Sequence, residues 1–391
     1  MNQFFQPSPE EARLIEEINK YNNYEFSLIR MTPTMLDKST IDASAQIRDV
    51  LVGDNFIDYE LVEQGGEKIY VNSLVLSKDI YERKTSFYRP QTKKGDPRFW
   101  IYGFKDFVQP GVLIYFTVAN KTLVAIPLTN IQDFGSLLSQ VFRDPEAERA
   151  LEKLKEKLIL VKTAGWIKSV SPFSNAPKDA GETLEKFMGI AINNLKTPDF
   201  LGKIELKSKR DKAGTMDTLF GRVPDWDISK YKTVYDIVDK FGYVSEGGHA
   251  KRLYNDIKSI PNAQGLYLVP DDLKSILYQN YSKNGACDDV CAWRYNTVKD
   301  QLHAKHPSTL WVGAEERITI EGEYEFKFNK FELTSRPLFA EFITLIKTDK
   351  IIYDWKAKIK DTGKGVRNHG PGFRVKPSHK GQLFKELIDL S

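Results

Sequence analysis

Apolar and polar positions along this chain keep two rhythms, and both recur from end to end. Leu113 through Val118 and Leu123 through Ile126 are nearly continuous apolar runs with a break at Ala119-Asn120, which predicts a buried β-hairpin. Lys68–Leu76 predicts another strand. Residues 8–30 predict a helix, opened by Ser8-Pro9-Glu10-Glu11 with proline in the first turn and acidic residues at the N-terminus. A shorter helix is predicted around Ile41 to Leu51. Asp144-Pro145-Glu146 opens a charged helix over 144–162, with Leu151, Leu154 and Leu158 along its apolar side. The polar stretch from Ser171-Pro172 to Pro177-Lys178 then reads as a linker. It divides the chain into a mixed α/β accessory domain, 1–164, and a second domain, 165–391.

In the second domain Leu184, Phe187 and Met188 fall at helical spacing, and Ile204 and Leu206 alternate with Glu205 and Lys207 as in a half-buried strand. Further strands are predicted at Gly265–Val269, Ile318–Phe328 and Ile351–Trp355, with a helix at Arg336–Leu345. Helices and strands mix throughout, so the fold class is α/β (α+β).

The strand at 204–207 carries the first candidate chemistry. Period two places Glu205 and Lys207 on one face. Asp199 lies just upstream, between Pro198 and the bend at Gly202, where it can fold back toward that face. Two close carboxylates suit a hard cation such as Mg²⁺, which binds few protein oxygens and keeps several waters. A neighbouring lysine suits an attacking water or a phosphate. A solvated strand face in a chain with 28% charged residues carries the same string.

Composition describes an ordinary globular chain, with 41% hydrophobic residues and no apolar run long enough to span a membrane. The N-terminus lacks the basic and apolar segments of a secretory signal, so a cytoplasmic protein is expected. The formal net charge of +4 hides an asymmetry. Residues 1–160 hold 20 Lys and Arg against 23 Asp and Glu, and the remainder 37 against 30. Positive charge therefore gathers in the half with the Asp–Glu–Lys string, as phosphate binding favours. Cys287 and Cys291 read as reduced thiols on a helix. With His303 and His306 they fit the usual zinc spacings poorly.

The order G-x-x-x-E on a helix (Gly181 to Glu185), then Asn193-Asn194-Leu195-Lys196-Thr197-Pro198-Asp199, then Gly202-Lys203-Ile204-Glu205-Leu206-Lys207-Ser208-Lys209-Arg210, is more specific than any of its parts. It resembles the MvaI/BcnI branch of the MutH-like restriction endonucleases, within the PD-(D/E)XK nuclease superfamily. The glycine- and arginine-containing segment Gly365 to Val375 continues the likeness, which spans roughly residues 165–391.

The resemblance implies a MutH-like fold with a catalytic core at about 178–260 and a recognition lobe within 261–391. It implies Asp199 and Glu205 as Mg²⁺ ligands (Mn²⁺ substituting), Lys207 as the catalytic lysine, and Glu185 completing the site, with Glu182 as a nearby competitor. It further implies site-specific cutting of double-stranded DNA by a monomer in separate strand events, and a cognate methyltransferase as an unlinked protein. Arg367, His369 and Arg374 are the expected base-reading residues, since arginine bonds bidentately to guanine and glycines let the backbone approach a groove. Lys209 and Arg210 are candidates for the DNA backbone. A MutH-like nicking repair enzyme and a modification-dependent nuclease gated by the N-terminal domain share the same residues.

In the accessory domain, Phe87 to Tyr102 interleaves Arg89, Lys93, Lys94 and Arg98 with aromatic residues. This is either a DNA-binding surface or a basic turn between aromatic-rich strands.

Overall fold

The computed structural model describes residues 6–52, 56–190, 197–244, 250–384 and 386–391. Residues 193–196 of the motif above and His249 lie outside the described residues, as does the side chain of Lys93. The chain forms two compact units, Met1–Pro145 and Glu146–Ser391.

The first unit runs α1 (Pro9–Tyr21), β1 (Phe26–Arg30), α2 (Pro33–Lys38), β2 (Ile41–Asp42), α3 (Ala45–Val52), β3 (Ile69–Leu76), β4 (Ile80–Tyr88), β5 (Arg98–Ile101), β6 (Leu113–Ala119), β7 (Thr122–Pro127) and α4 (Phe134–Phe142). Its strands make one seven-stranded sheet in the order β1-β6-β7-β3-β4-β5-β2, with only β3 and β7 parallel. One face of the sheet packs on α2 and α3 through Met31, Ile47, Phe87 and Phe99. The other packs on α1 and α4 through Ile18, Tyr115 and Leu138.

The predicted start of α1 is observed as a capping box. The Glu11 N–H donates to the Ser8 hydroxyl and the Ser8 N–H to the Glu11 carboxylate. The helix stops at Tyr21, short of the expected residue 30. Buried Asn22 donates to the Tyr115 and Thr117 hydroxyls, and the following residues alternate in burial as β1. The hairpin β6–β7 forms as expected. Its turn is Asn120-Lys121, both with positive φ, a geometry matching the twist of two-residue hairpins.

The second unit begins with α5 (Pro145–Ala164), whose Leu154 and Leu158 pack with Phe326 and Phe331 further along the chain. The division between the units therefore falls before this helix, upstream of the boundary expected near 165. There follow β8 (Trp166–Lys168), α6 (Asp179–Phe187), β9 (Glu205–Arg210), β10 (Asp217–Gly221), α7 (Val234–Phe241), β11 (Tyr243–Val244), β12 (Lys251–Ile257), β13 (Leu266–Asp271), β14 (Ile276–Lys283), β15 (Ala286–Arg294), α8 (Tyr295–Lys305), β16 (Thr309–Ile318), β17 (Tyr324–Thr334), α9 (Phe339–Lys347), β18 (Ile351–Ile359), β19 (Val366–Asn368), β20 (Gly372–Val375), α10 (Lys380–Leu383) and β21 (Leu387–Asp389).

Three sheets result. One is β21-β17-β16-β9 with β8 against β17. A second is β10-β20-β18-β12-β11 with β19 against β18. The third is the meander β13-β14-β15. Strand β9 joins the first sheet parallel to β16.

Two sequence expectations are corrected here. Cys287 and Cys291 lie on strand β15, not on a helix, because the apolar residues Val290 to Trp293 are buried as a β meander. The strand expected at 318–328 is the tip of the β16–β17 hairpin, turning at Thr319 to Glu323.

Candidate active site

Strand β9 turns Leu206 toward α5 and α6, and Glu205 and Lys207 to the other side. Just before it, Leu201 and Gly202 both take positive φ and close a tight turn, in which Phe200 and Ile204 exchange backbone hydrogen bonds at 2.8 and 3.1 Å. The turn folds Asp199 back alongside the strand, where its Oδ2 accepts from the Leu206 N–H at 3.0 Å. The bend marked by Gly202 in the sequence is what brings the two carboxylates together.

Glu205 is not a solvated strand residue. It is 1% exposed, its Oε1 lies 2.7 Å from Lys207 Nζ, and its Oε2 lies 2.8 Å from Lys305 Nζ. Lys305 also stands 3.9 Å from Asp199 Oδ1. Burial pushes the Glu205 carboxyl up, against the pull of Lys207 and Lys305. Glu185, on α6, is half-buried and likewise raised, first by burial and then by the charges of Asp199, Glu182 and Glu205. Its rival Glu182 pairs with Lys178 at 2.8 Å. All four expected residues, Glu185, Asp199, Glu205 and Lys207, thus share one neighbourhood.

Lys305 was not visible in the sequence. It ends α8, and the parallel pairing of β9 with β16 carries it across, the Glu205 N–H donating to the Ser308 carbonyl at 2.8 Å. No local spacing connects positions 205 and 305.

The donor set suits a hard cation held by few protein ligands. Asp199 and Glu205 are adjacent, one is buried and raised, and the cationic groups beside them answer an unmet negative charge. Among the described residues no group of three or more His, Cys, Asp or Glu side chains is placed to hold a metal. Three residues of the Cys–His set are engaged elsewhere in the fold. Cys291 is buried in the core, His303 bonds Pro337 and Arg336, and His306 bonds Thr309 and Leu219.

A groove of about 540 Å³ runs beside β9, lined by Lys207, Lys209, Arg210, Lys330 and Lys380 and by Asp211, Asp217 and Glu332, among others. Its basic lining suits a phosphate backbone. Two of the expected backbone contacts are engaged within the protein. Lys209 bonds Asp217 at 3.0 Å and the Thr215 carbonyl, and Arg210 pairs with Glu316 at 2.5 Å.

The candidate base readers lie on a different sheet. Arg374 on β20 pairs with Asp354 on β18 at 2.8 Å. Arg367 lies on β19 and His369 just after it, both exposed, with the His369 ring 6.2 Å from Tyr254. Burial raises the Asp354 carboxyl, Arg374 pulls it back, and its cross-strand partner Asp256 pushes it up again, to about 6. In the first unit Arg89 is tied to the Gly95 and Val62 carbonyls, and Arg98 to Asp42 at 3.0 Å. Lys94 is exposed.

A pair of carboxylates and a lysine at the edge of a mixed sheet, above a basic groove, is the equipment of a phosphodiester-cleaving nuclease. The MvaI/BcnI restriction endonuclease family matches residues 155–384, and the chain belongs to that family. Among solved structures it is similar to a restriction endonuclease MvaI–cognate DNA substrate complex, with TM-score 0.54 and 19% identity. The match covers 64% of this chain and 100% of that one. MvaI in the absence of DNA matches at TM-score 0.40 and 21% identity, over 62% of this chain and 98% of that one. No curated protein sequence matches the chain. Residues 1–145 lie outside the family match. No helix among the described residues is long and apolar enough to cross a membrane.

Two measurements check this electrostatic picture. Lys305→Met leaves buried Glu205 with one cation fewer and should cost roughly 1–3 kcal/mol in denaturant unfolding. Adding Glu205→Gln should recover most of that loss, whereas a double variant no more stable than the single would disprove the coupling. Asp354 titrates above its ordinary 3.8, so the folded state takes up the proton first and gains stability as the pH falls through 6. Wild type should therefore gain about 1 kcal/mol on Asp354→Asn between pH 7.5 and 5. A difference independent of pH would return Asp354 to the ordinary carboxylate range.

Proposed function

We propose that this chain is a Mg²⁺-dependent, site-specific endonuclease that hydrolyses phosphodiester bonds of duplex DNA. The observation that carries the reading is buried Glu205 on one strand face with Lys207, with Asp199 folded back beside it onto the Leu206 N–H. Asp199 and Glu205 would hold the cation, whose chemistry there is to polarise a phosphoryl oxygen and acidify a water. Lys207 orients or deprotonates the attacking water and offsets charge on the scissile phosphate. Glu185 holds the lysine or an outer water from α6. The groove lined by Lys330 and Lys380 takes the backbone near the cut. Arg374, set in place by Asp354, reads bases together with His369 and Arg367.

In this reading the protein is cytoplasmic and acts as a monomer, cutting the strands in separate events. A separate methyltransferase of the same specificity protects the host's own sites, and Mn²⁺ replaces Mg²⁺. The first unit, outside the matched residues, favours one second reading, in which residues 1–145 gate the nuclease on modified DNA.

Purified protein with unmethylated phage DNA should give discrete fragments that require Mg²⁺ and are lost in Asp199→Ala. Fragments independent of Asp199, or no cutting of any DNA, would remove the proposal, and cutting confined to methylated DNA would favour the gated reading. Arg374→Ala should lower cleavage at the site by at least tenfold through loss of a bidentate base contact. Cleavage equal to wild type would remove Arg374 from recognition.

A further inference from the structure

The first unit carries a surface that neither its two cores nor the nuclease site uses. Register places three cross-strand rows on one face of β3, β4 and β5. Tyr88 pairs with Arg98, Tyr70 with Ser86 and Ser86 with Trp100, and Asn72 with Lys84, whose carbonyl accepts from the Tyr102 N–H. Side chains alternate along a strand, so these residues share the face opposite Val71, Phe87 and Phe99 of the core, although Trp100 is itself buried in that core. On this part of the sheet Lys68, Tyr70, Asn72, Lys84 and Tyr102 remain exposed, with Tyr70 at 48% and Tyr102 at 41%.

Charge in the unit is sharply segregated onto these strands. Residues 68–102 hold eight Lys and Arg against three Asp and Glu, while the rest of residues 1–145 holds eight against sixteen. Of those eight, Lys68 and Lys84 stand exposed on this face, and two ammonium groups on one open sheet face present a complement to a polyanion. The acidic residue on the same face, Glu82, is hydrogen-bonded to Asn72 at 2.5 Å.

The geometry discriminates between two ways of holding nucleic acid. Base stacking needs open ring faces. Here Lys84 lies 4.0 Å over the Tyr70 ring and Lys68 4.4 Å over the Tyr88 ring, while the Tyr70 and Tyr102 rings tilt together at 6.4 Å. The groups this face offers are ammonium groups and phenolic hydroxyls, which bind phosphate oxygens. The Tyr102 phenol is drawn below its usual range, chiefly by the Ser86 hydroxyl beside it and further by Tyr70, Lys68 and Lys84.

We infer that the β3–β4–β5 face of the first unit is a second DNA contact, at which Lys68, Lys84, Tyr70 and Tyr102 bind the phosphate backbone of duplex DNA without reading sequence. The ligand class rests on the nuclease reading above, but the residues do not.

The test is fluorescence anisotropy of the full-length protein on a short labelled duplex of mixed sequence, in EDTA, over a range of salt. Lys68→Gln with Lys84→Gln should weaken binding roughly tenfold at low salt and reduce the slope of log K against log salt by about two. Glu82→Gln removes the acid on the face and should tighten binding, which guards against misfolding as the cause of a loss. Melting temperatures of the variants should match wild type. Unchanged affinity and slope in a protein that cuts DNA would overturn the inference and leave the nuclease reading standing. Tighter binding of a single strand than of the duplex would overturn it as well. A wild-type protein that neither binds nor cuts DNA would overturn both.

Discussion

The burial of one carboxylate organises the second unit. Glu205 is almost fully removed from water, and an isolated carboxylate there would be expensive to keep ionised. The fold answers with cations from two directions, Lys207 two residues along the same strand and Lys305 from the end of α8. Breaking such a cluster is costlier than its net contribution to stability, so its value lies in position more than in energy. It holds two carboxylates and two ammonium groups in fixed relation.

The cluster sits where two cores meet. Leu310 and Val312 of β16 pack with α5 and α6 in one core, while Trp311 between them turns into the other, stacked beside His306 and Phe384. The same alternation places Lys207 opposite Trp311 in the parallel pair with β9. One strand thus joins the sheet that carries Glu205 and Lys207 to the core that supports the sheet with Arg374 and Asp354. Burial pushes the His306 ring down to about 3, followed by the charge of Lys207, and its two nitrogens are bonded to Thr309 and Leu219. A neutral ring at the seam adds no charge to a neighbourhood that already holds two lysines.

What the sequence revealed was local. The alternation at 204–207, the Gly202 bend and the helix carrying Glu185 are short-range patterns, and each appears in the structure where the pattern placed it. What it concealed was non-local. Lys305 reaches Glu205 only because strands far apart in the chain lie parallel, and parallel pairs leave no hairpin signal. Basic residues are also alike in a sequence whether they bond within the protein or face outward. Arg89, Arg98 and Arg210 satisfy carbonyls and carboxylates within the protein, which a charge count cannot separate from a surface awaiting phosphate. The cysteine strand failed for another reason. Cys287 and Cys291 are spaced four apart, which suits a helix face, but the buried run Val290 to Trp293 makes a strand, bulged at Val290.

The first unit shows how the same ambiguity is resolved by geometry. Its segment Phe87 to Tyr102 closes as a turn between aromatic strands. Phe87, Phe99 and Trp100 are buried, and the turn between the strands is stapled by Arg89, as a structural basic turn requires. The exposed positive charge lies one register away, on Lys68 and Lys84 over tyrosine rings. The two lysines sit two rows apart, Lys84 opposite Asn72 and Lys68 beyond Tyr70, each laid over a tyrosine ring on the open face of β3 and β4, away from the carbonyls and the carboxylate that hold Arg89 and Arg98.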